Sequence, residues 1–258
     1  YEMSSIYRPH FAVGGDYYDV LYIPGGAKIG ILQTGESPDA LRADMGDYPD
    51  FFETLLAGKG LTFRRWAVLR NDFPKDVHDC DGWLITGSRH GGYEDHAWIP
   101  PLEQFIRDAY AAHVPLVGIC FGHQIVAQAM GGKVARFDGG WAVGAQDYDF
   151  GGETLTLNAW HRDQVIEAPV GAKVIASNEF CTNAALLYDD YALTVQAHPE
   201  FRPEFVDGLM QTRGKGLVPD EVMAKAAAKL DQPLQDKTMA AQIAAFFKAP
   251  RSRAPAKA

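Results

Sequence analysis

Cysteine is scarce in this 258-residue chain, where it occurs only as Cys80, Cys120 and Cys181 and forms no C-x-x-C pair. This scarcity argues against a disulfide framework and against a cysteine-based zinc knuckle, and it fits a reducing compartment. The chain also lacks an apolar run of membrane-spanning length and a basic start followed by an apolar signal core. We therefore expect a cytoplasmic protein with no membrane partner.

Positive charge is in deficit, since 24 Lys and Arg face 33 Asp and Glu and the formal net charge is −9. An acidic chain with no basic stripe argues against a nucleic-acid partner. Neither G-x-x-x-x-G-K-[ST] nor G-x-G-x-x-G occurs, which argues against a phosphate-binding loop. His90, His96 and His123 lack an H-E-x-x-H motif or any other paired-ligand spacing. The sequence therefore predicts neither a metal site nor a bound cofactor.

Apolar segments alternate with helical patterns from Lys28 onward. The segments predicted to be strands are KIGILQTG, LTFRRWAVL, WLITGS and VPLVGIC, and those predicted to be helices are DYPDFFETLLAGKG and WIPPLEQFIRDAYAAH. Apolar strands joined by helices are typical of an α/β fold, in which a mostly parallel sheet has helices on both faces. After Gly132, short segments such as KVARF, WAVGAQDYDF, ETLTLNAW, AKVIAS and ALTVQAH predict antiparallel additions to the edge of that sheet.

Composition divides the chain into three parts. Residues 1–27 show no sustained period, and we leave them as an unassigned N-terminal extension. Residues 28–248 form the predicted α/β domain, of which 203–248 is a helical C-terminal part. Residues 249–258, APRSRAPAKA, carry too few apolar side chains to pack and are predicted to be a mobile tail.

Cys120 lies between two glycines where a predicted strand meets a predicted helix. The pattern Gly118-x-Cys120-x-Gly122 is the thiol counterpart of the G-x-S-x-G nucleophile elbow. Glycines permit a strained turn and the close approach of a substrate. A helix N-terminus favours a thiolate over a thiol, and N–H groups such as that of Phe121 can bind a developing oxyanion. The alternative is a buried structural cysteine beside a glycine turn.

A base for this thiol is available in ALTVQAHPEF, a predicted strand that ends at His198. Glu200 follows two residues later and can orient the imidazole, as nucleophile chemistry with a thiol requires. The glycine loop TGSRHGGYED follows another predicted strand, and the N–H of Gly87 or Ser88 is a candidate second oxyanion donor. Taken alone, His-Pro-Glu could be a polar turn, but its joint occurrence with the elbow favours catalysis.

These motifs together resemble the class I (triad) glutamine amidotransferases over roughly residues 28–200. Gly-Ile-Cys-Phe-Gly-His-Gln at 118–124 resembles the nucleophile motif of that family. Ala-His-Pro-Glu at 197–200 resembles its base and orienting acid, and Thr-Gly-Ser at 86–88 resembles its oxyanion loop. The resemblance implies a flavodoxin-like sheet, no cofactor, and a γ-glutamyl thioester on Cys120 that water releases as glutamate.

Two further residues acquire roles from the resemblance. The family places a substrate-holding glutamine after the elbow, which implies that role for Gln124. Trp-His-Arg-Asp at 160–163 resembles the Ser-His-Gly-Asp segment of the GMP synthase amidotransferase domain, although its serine and glycine differ, and it points to His161 as a substrate-binding residue. The chain is most similar to the stand-alone, GMP-synthase-like members, which include γ-glutamyl peptidases.

Three functions remain open at this stage, and the first two share a small γ-glutamyl substrate. The first is glutamine hydrolysis that supplies ammonia to a synthase subunit, which a partner should accelerate. The second is γ-glutamyl peptidase activity that needs no partner, and the lack of any synthase-like segment within the 258 residues favours it. The third is a non-catalytic binding or regulatory module on the same fold, which would form no thioester.

Overall fold

The computed structural model describes residues 26–251 and contains eleven strands in that range. In chain order they are β1 (Ala27–Leu32), β2 (Leu61–Trp66), β3 (Gly82–Ile85), β4 (Leu116–Ile119), β5 (Lys133–Arg136), β6 (Ala142–Phe150), β7 (Glu153–His161), β8 (Asp163–Glu167), β9 (Lys173–Ala176), β10 (Ala185–Tyr188) and β11 (Ala192–Val195). Seven of them form a central sheet in the order β2-β1-β3-β4-β11-β10-β9. The first five strands of this order are mutually parallel, and an order that begins 2-1-3-4 is that of flavodoxin-like folds.

Seven helices accompany these strands within the described range. They are α1 (Asp39–Met45), α2 (Tyr48–Leu55), α3 (Ile99–Ala111), α4 (Phe121–Ala129), α5 (Pro203–Gln211), α6 (Asp220–Ala227) and α7 (Asp236–Lys248). Apolar side chains of α2 and α7 pack with β1, β4 and β11 in one buried cluster, and those of α3 and α4 pack with β3 in another. The sheet therefore has helices on both faces, and the predicted fold class is confirmed.

The burial of the strands is typical of a parallel sheet that has helices on both faces. Every residue of β3, β4 and β11 is buried, as expected for strands with helices on both sides. Strand β2 lies at the sheet edge and alternates between partly buried and exposed residues over most of its length. Its exposed Arg64 and Arg65 suit an edge strand, because charged side chains discourage pairing with another chain.

The prediction of antiparallel additions at the sheet edge was partly wrong. ALTVQAH forms β11, which lies inside the sheet and parallel to β4, because its fully buried apolar residues suit a central strand. AKVIAS forms β9, which pairs antiparallel with β10, and β10 pairs antiparallel with β11. Strands β5 and β8 instead form a separate two-stranded ribbon, and β6 pairs with β7 in a second ribbon. Strands β6 and β7 pair over nine residues, so the backbone groups on their facing edges are satisfied outside the central sheet.

Several elements were not predicted from the sequence. Helix α1 presents a single buried apolar residue, Leu41, so its pattern gave no helical period. Strands β8 (DQVIE) and β10 (ALLY) show no alternation of buried and exposed residues, so their pattern gave no strand period.

The two predicted chain ends lie largely outside the described residues. The described part of the predicted tail packs, because the guanidinium of Arg251 lies 4.4 Å from the ring centroid of Phe246. No helix between residues 26 and 251 combines the length and apolar character needed to cross a bilayer.

Candidate active site

Cys120 occupies the turn between β4 and α4 in a conformation that L residues seldom adopt. Its φ is 53° and its ψ is −102°. A β-carbon at Gly118 would lie 2.5 Å from the carbonyl oxygen of Gly122, and one at Gly122 would collide with the carbonyl oxygen of Ile85. The two glycines are therefore required by close backbone contact, and the turn that they allow holds Cys120 at the helix N-terminus.

Strand order brings three loops together at the carboxyl end of the sheet. Strands β3, β4 and β11 are adjacent and parallel, so the segments that follow them emerge side by side. Those segments carry Gly87, Cys120 and His198. A β-carbon at Gly87 would lie 3.0 Å from Cε1 of His198 and 3.9 Å from Cβ of Cys120, which shows how close the three residues are.

His198 connects a carboxylate to the thiol. Its Nδ1 lies 2.7 Å from Oε1 of Glu200, and the ring lies next to Cys120, whose charge influences its pKa. The ring stacks on Phe201 with a centroid distance of 3.8 Å and an interplanar angle of 4°. All three polar residues are at least 95% buried, which leaves their side chains little freedom to rearrange.

The protonation of His198 is set by two opposing effects. Complete burial lowers the pKa of an imidazole, because the charged form loses its hydration. The negative charges of Glu200 and of a Cys120 thiolate outweigh this loss, and the pKa of His198 is raised. The raised pKa favours the imidazolium form of the ring.

The loop after β3 is held by hydrogen bonds to the end of β1. The hydroxyl of Thr34 lies 2.8 Å from the carbonyl oxygen of Thr86 and 3.1 Å from that of Gly87, and it donates to these oxygens. The Thr34 backbone N–H donates to Oγ1 of Thr86 at 3.0 Å. Ser88 lines the same cavity as Cys120. Thr34 was not predicted from the sequence, although its place just after a strand, at the edge where β3 also ends, could have indicated it.

Two glutamine side chains lie next to the thiol. Nε2 of Gln196 is 3.6 Å from Sγ of Cys120, and its Oε1 accepts from Nε2 of Gln124 at 3.2 Å. Gln124 also donates to the backbone carbonyl of Asp163 at 2.9 Å. Gln196 was missed by the sequence analysis, although it precedes His198 by two residues and so extends to the same side of an extended chain.

His161 ends β7 and lines the cavity that contains Cys120 and His198. Its Nδ1 lies 3.2 Å from the carbonyl oxygen of Asp163, while its buried Nε2 has no hydrogen-bond partner within residues 26–251. Burial, and then the nearby charge of His198, lower the pKa of His161 to about 3. The lowered pKa favours the neutral ring, and donation from Nδ1 would leave Nε2 as an acceptor without a partner among these residues.

The cavity beside Cys120 measures about 240 Å³. Its aromatic lining consists of Tyr48, Tyr93, Trp141, Trp160 and Phe201. Its charged lining comprises the carboxylates Glu94 and Asp163 and the arginines Arg89, Arg136, Arg162 and Arg213. This excess of positive charge contrasts with the negative net charge of the chain and favours an anionic ligand.

One histidine cluster departs from the sequence expectation. His90 and His96, which the sequence did not pair, come together with Glu94, and their ligand atoms all lie within 4.8 Å of one another. The expectation relied on helical ligand spacing, whereas residues 90–96 lie in a turn. His123 is apart from this cluster, fully buried, with Nδ1 2.8 Å from Oγ1 of Thr194.

Comparisons with known proteins agree with this geometry. Residues 47–210 match the family model described as glutamine amidotransferase class-I. A glutamine amidotransferase-like protein of Schizosaccharomyces pombe is 28% identical over 242 residues, which cover 85% of this chain and 98% of that protein. Gamma-glutamyl peptidase 2 of Arabidopsis thaliana is 27% identical over 214 residues, or 77% of this chain and 86% of the peptidase.

A solved structure extends the similarity to the fold. A glutamine amido transferase from Methylobacillus flagellatus superposes with a TM-score of 0.67 at 26% identity, covering 87% of this chain and 92% of that one. Because the family model spans well over half of the sequence and the strand order and elbow fit it, the chain belongs to the class-I glutamine amidotransferase family.

Proposed function

We propose that the protein hydrolyses γ-glutamyl amide bonds through a Cys120–His198–Glu200 triad. The observation that carries the proposal is the buried imidazole of His198, which contacts both the Cys120 thiol and the Glu200 carboxylate at a strained, glycine-flanked turn. A positioned base that is itself oriented by an acceptor is the arrangement that activates a thiol nucleophile.

The first half of the reaction is acyl transfer to sulfur. The Cys120 thiolate attacks the γ-carbonyl carbon, and the carbonyl electrons move to oxygen to give a tetrahedral intermediate. The intermediate collapses with cleavage of the C–N bond, while the His198 imidazolium donates a proton to the departing amine. The γ-glutamyl group is then held as a thioester on Cys120.

The second half is hydrolysis of that thioester. Neutral His198 accepts a proton from water as the water oxygen attacks the acyl carbon, and the C–S bond breaks to release glutamate. The thiolate and imidazolium are then both restored, and Glu200 remains a carboxylate throughout because its role is to orient and stabilise the ring.

The oxyanion is stabilised by backbone N–H groups on two loops. The N–H of Phe121 opens α4, and the N–H of Gly87 or Ser88 belongs to the loop that Thr34 holds. Each such donor, when preorganised, is typically worth about 3 kcal/mol of activation free energy. The hydrogen bonds that Thr34 donates to backbone carbonyl oxygens hold this second loop in place. This preorganisation is what allows the loop N–H to make that contribution.

The glutamyl group is held by Gln124 and His161 in this proposal. Both side chains are buried and both line the cavity beside Cys120. The free Nε2 of His161 is suited to accept from the α-ammonium of a glutamyl group, because a neutral ring offers a lone pair there.

The charge of the cavity favours γ-glutamyl peptides over glutamine. A γ-glutamyl peptide carries a second carboxylate at its C-terminus, and four arginines line the cavity. The aromatic lining offers apolar surface to the leaving peptide. γ-Glutamyl peptidases are also among the relatives of this chain. The second candidate is hydrolysis of glutamine with transfer of ammonia to a synthase subunit, which the family membership favours.

The test is glutamate release by the purified chain alone. Its substrates are a γ-glutamyl dipeptide with a free C-terminal carboxylate, the same dipeptide with an amidated C-terminus, and glutamine. We expect the free acid to have the highest kcat/KM, because only it pairs its second carboxylate with the arginines. Preference for glutamine, or acceleration by a synthase subunit, would favour the second candidate.

The control is the Cys120→Ala variant, which keeps the fold but lacks the nucleophile. It should release no glutamate above the uncatalysed rate and form no acyl-enzyme detectable by mass spectrometry of the intact chain. Equal glutamate release by this variant and the parent would remove Cys120 from the mechanism. Absence of both acyl-enzyme and glutamate with every substrate would instead favour a non-catalytic module.

A further inference from the structure

We propose that His90, Glu94 and His96 form a binding site for a divalent transition-metal ion of the Zn²⁺ class, in the wall of the cavity that contains Cys120. The site lies outside the triad, and the mechanism above assigns no role to these three side chains. His90 and Glu94 both line the cavity, so the site adjoins the active centre without being part of it.

The three ligand atoms converge on one point. Nδ1 of His90 lies 3.2 Å from Oε2 of Glu94, and Nε2 of His96 lies 2.7 Å from the same oxygen. Ligands bound at 2.0–2.1 Å in a tetrahedron are about 3.3 Å apart. The His90–Glu94 pair already has this separation, the His96–Glu94 pair must open by about 0.6 Å, and the His90–His96 pair lies within 4.8 Å. Side-chain adjustment therefore creates the site.

The surroundings of the cluster hold its side chains in place. The Gly91 backbone N–H donates to Oε1 of Glu94 at 2.9 Å, which leaves Oε2 directed at the two rings. The ring of His96 stacks on Trp98 with a centroid distance of 5.7 Å and an interplanar angle of 13°. Such contacts from outside the ligand set orient metal ligands and reduce the entropy lost on binding.

The ligand set selects the kind of ion. Two imidazoles and one carboxylate suit Zn²⁺ and related first-row ions, whereas Mg²⁺ and Ca²⁺ prefer sets made of oxygen. Three protein ligands leave the fourth tetrahedral position for water. Because the same segment begins with Gly87 and Ser88, an ion that cross-links residues 90, 94 and 96 would restrict the loop assigned to the oxyanion.

The test is calorimetric titration of Zn²⁺ into the full chain carrying Cys120→Ala, so that the active-site thiol contributes no binding. We expect one ion per chain, loss of affinity of at least about tenfold in Glu94→Gln and in His96→Gln, and no binding of Mg²⁺. Glu94→Gln retains an oxygen for the Gly91 N–H, so the turn is preserved. His78→Gln, an exposed histidine outside the cluster, is the matched control and should bind as the parent does.

A second readout comes from Trp98. Binding at His96 should change the tryptophan fluorescence, and Trp98→Phe should remove that change while leaving the calorimetric affinity within about twofold, since Trp98 only packs on a ligand. Absence of Zn²⁺ binding, or binding that survives both Glu94→Gln and His96→Gln with undiminished affinity, would overturn the proposal.

Discussion

The ends of strands β11 and β7 each place a buried histidine against the same cavity, yet the two rings differ in protonation. His198 at the end of β11 has its pKa raised, whereas His161 at the end of β7 has its pKa lowered to about 3. Both rings are buried, so burial alone does not decide the outcome. The difference is Glu200, a carboxylate within hydrogen-bond distance of His198 only. A buried imidazole becomes a proton donor when an equally buried anion compensates for its lost hydration.

The cysteines follow the same rule. Burial raises the pKa of Cys80 to about 11 and that of Cys181 to about 12. Neither thiol has an imidazole beside it comparable to the contact between Cys120 and His198. Environment therefore separates three chemically identical residues into two thiols of raised pKa and one, Cys120, that we propose as the nucleophile.

Substitution of His198 should have the largest effect on catalysis. His198→Gln should lower kcat by about 10⁴-fold or more, because the variant lacks the group that transfers the proton. The measurement is single-turnover glutamate release with a γ-glutamyl dipeptide. A loss of less than about tenfold would show that another group acts as the base.

Removal of the carboxylate should have the next largest effect. Glu200→Gln keeps the side-chain shape but removes the charge that raises the pKa of His198, so burial prevails and that pKa falls. Loss of the imidazolium on raising pH should then occur at lower pH than in the parent, and kcat should fall by about 10³-fold to 10⁴-fold. Titration of the His198 ring by NMR measures the shift, and an unchanged midpoint would contradict the role of Glu200.

The substitution Gly87→Ala tests the position of the His198 ring rather than its charge. In Gly87→Ala the new methyl group would lie 3.0 Å from Cε1 of His198, so the ring or the loop must move. We expect kcat to fall by about 10²-fold, as misplacement by about an ångström does in other enzymes. Thermal unfolding is the control, because a large drop in stability would mean that the loop had been disrupted instead.

A change at His161 should act on substrate binding alone. His161→Gln removes the ring proposed to hold the glutamyl group, and loss of one hydrogen bond should raise KM by about tenfold with kcat nearly unchanged. Separate determination of kcat and KM shows whether the substitution affects substrate binding or catalysis. A fall in kcat as large as that of His198→Gln would place His161 in the proton-transfer step.

Substitution of a buried cysteine other than Cys120 should have the smallest effect on activity. Cys80→Ala should leave kcat/KM and the rate of inactivation by iodoacetamide within about twofold of the parent, because thiolate is the reactive form. Peptide mapping after alkylation should find the label on Cys120. Slower inactivation in Cys80→Ala would show that Cys80 contributes to the reactive thiol population.

Part of the site could be predicted from sequence because its motifs are local. The elbow depends on neighbours within two residues, where backbone contact demands glycine at 118 and 122. The base and its acid are likewise two residues apart, at 198 and 200. Gln196 and Thr34 escaped prediction because their significance arises only when strands distant in sequence become neighbours.

The same contrast applies to the fold. Alternating apolar and amphipathic segments predicted the parallel sheet and its covering helices, since hydrophobic periodicity is encoded locally. The pairing of β5 with β8 and of β6 with β7, outside the central sheet, was not predictable, because several strand partners would satisfy the same backbone groups.

The sequence by itself determined the strained turn and the candidate nucleophile, base and orienting acid, because each depends on steric and chemical relations between near neighbours. Tertiary structure alone decided that β11 lies beside β4, which brings His198 to Cys120. It also decided which buried histidine keeps a proton and that His90 and His96 meet at Glu94. Those outcomes depend on burial and on distances across the sheet and its loops, and both come into existence only when the chain has packed.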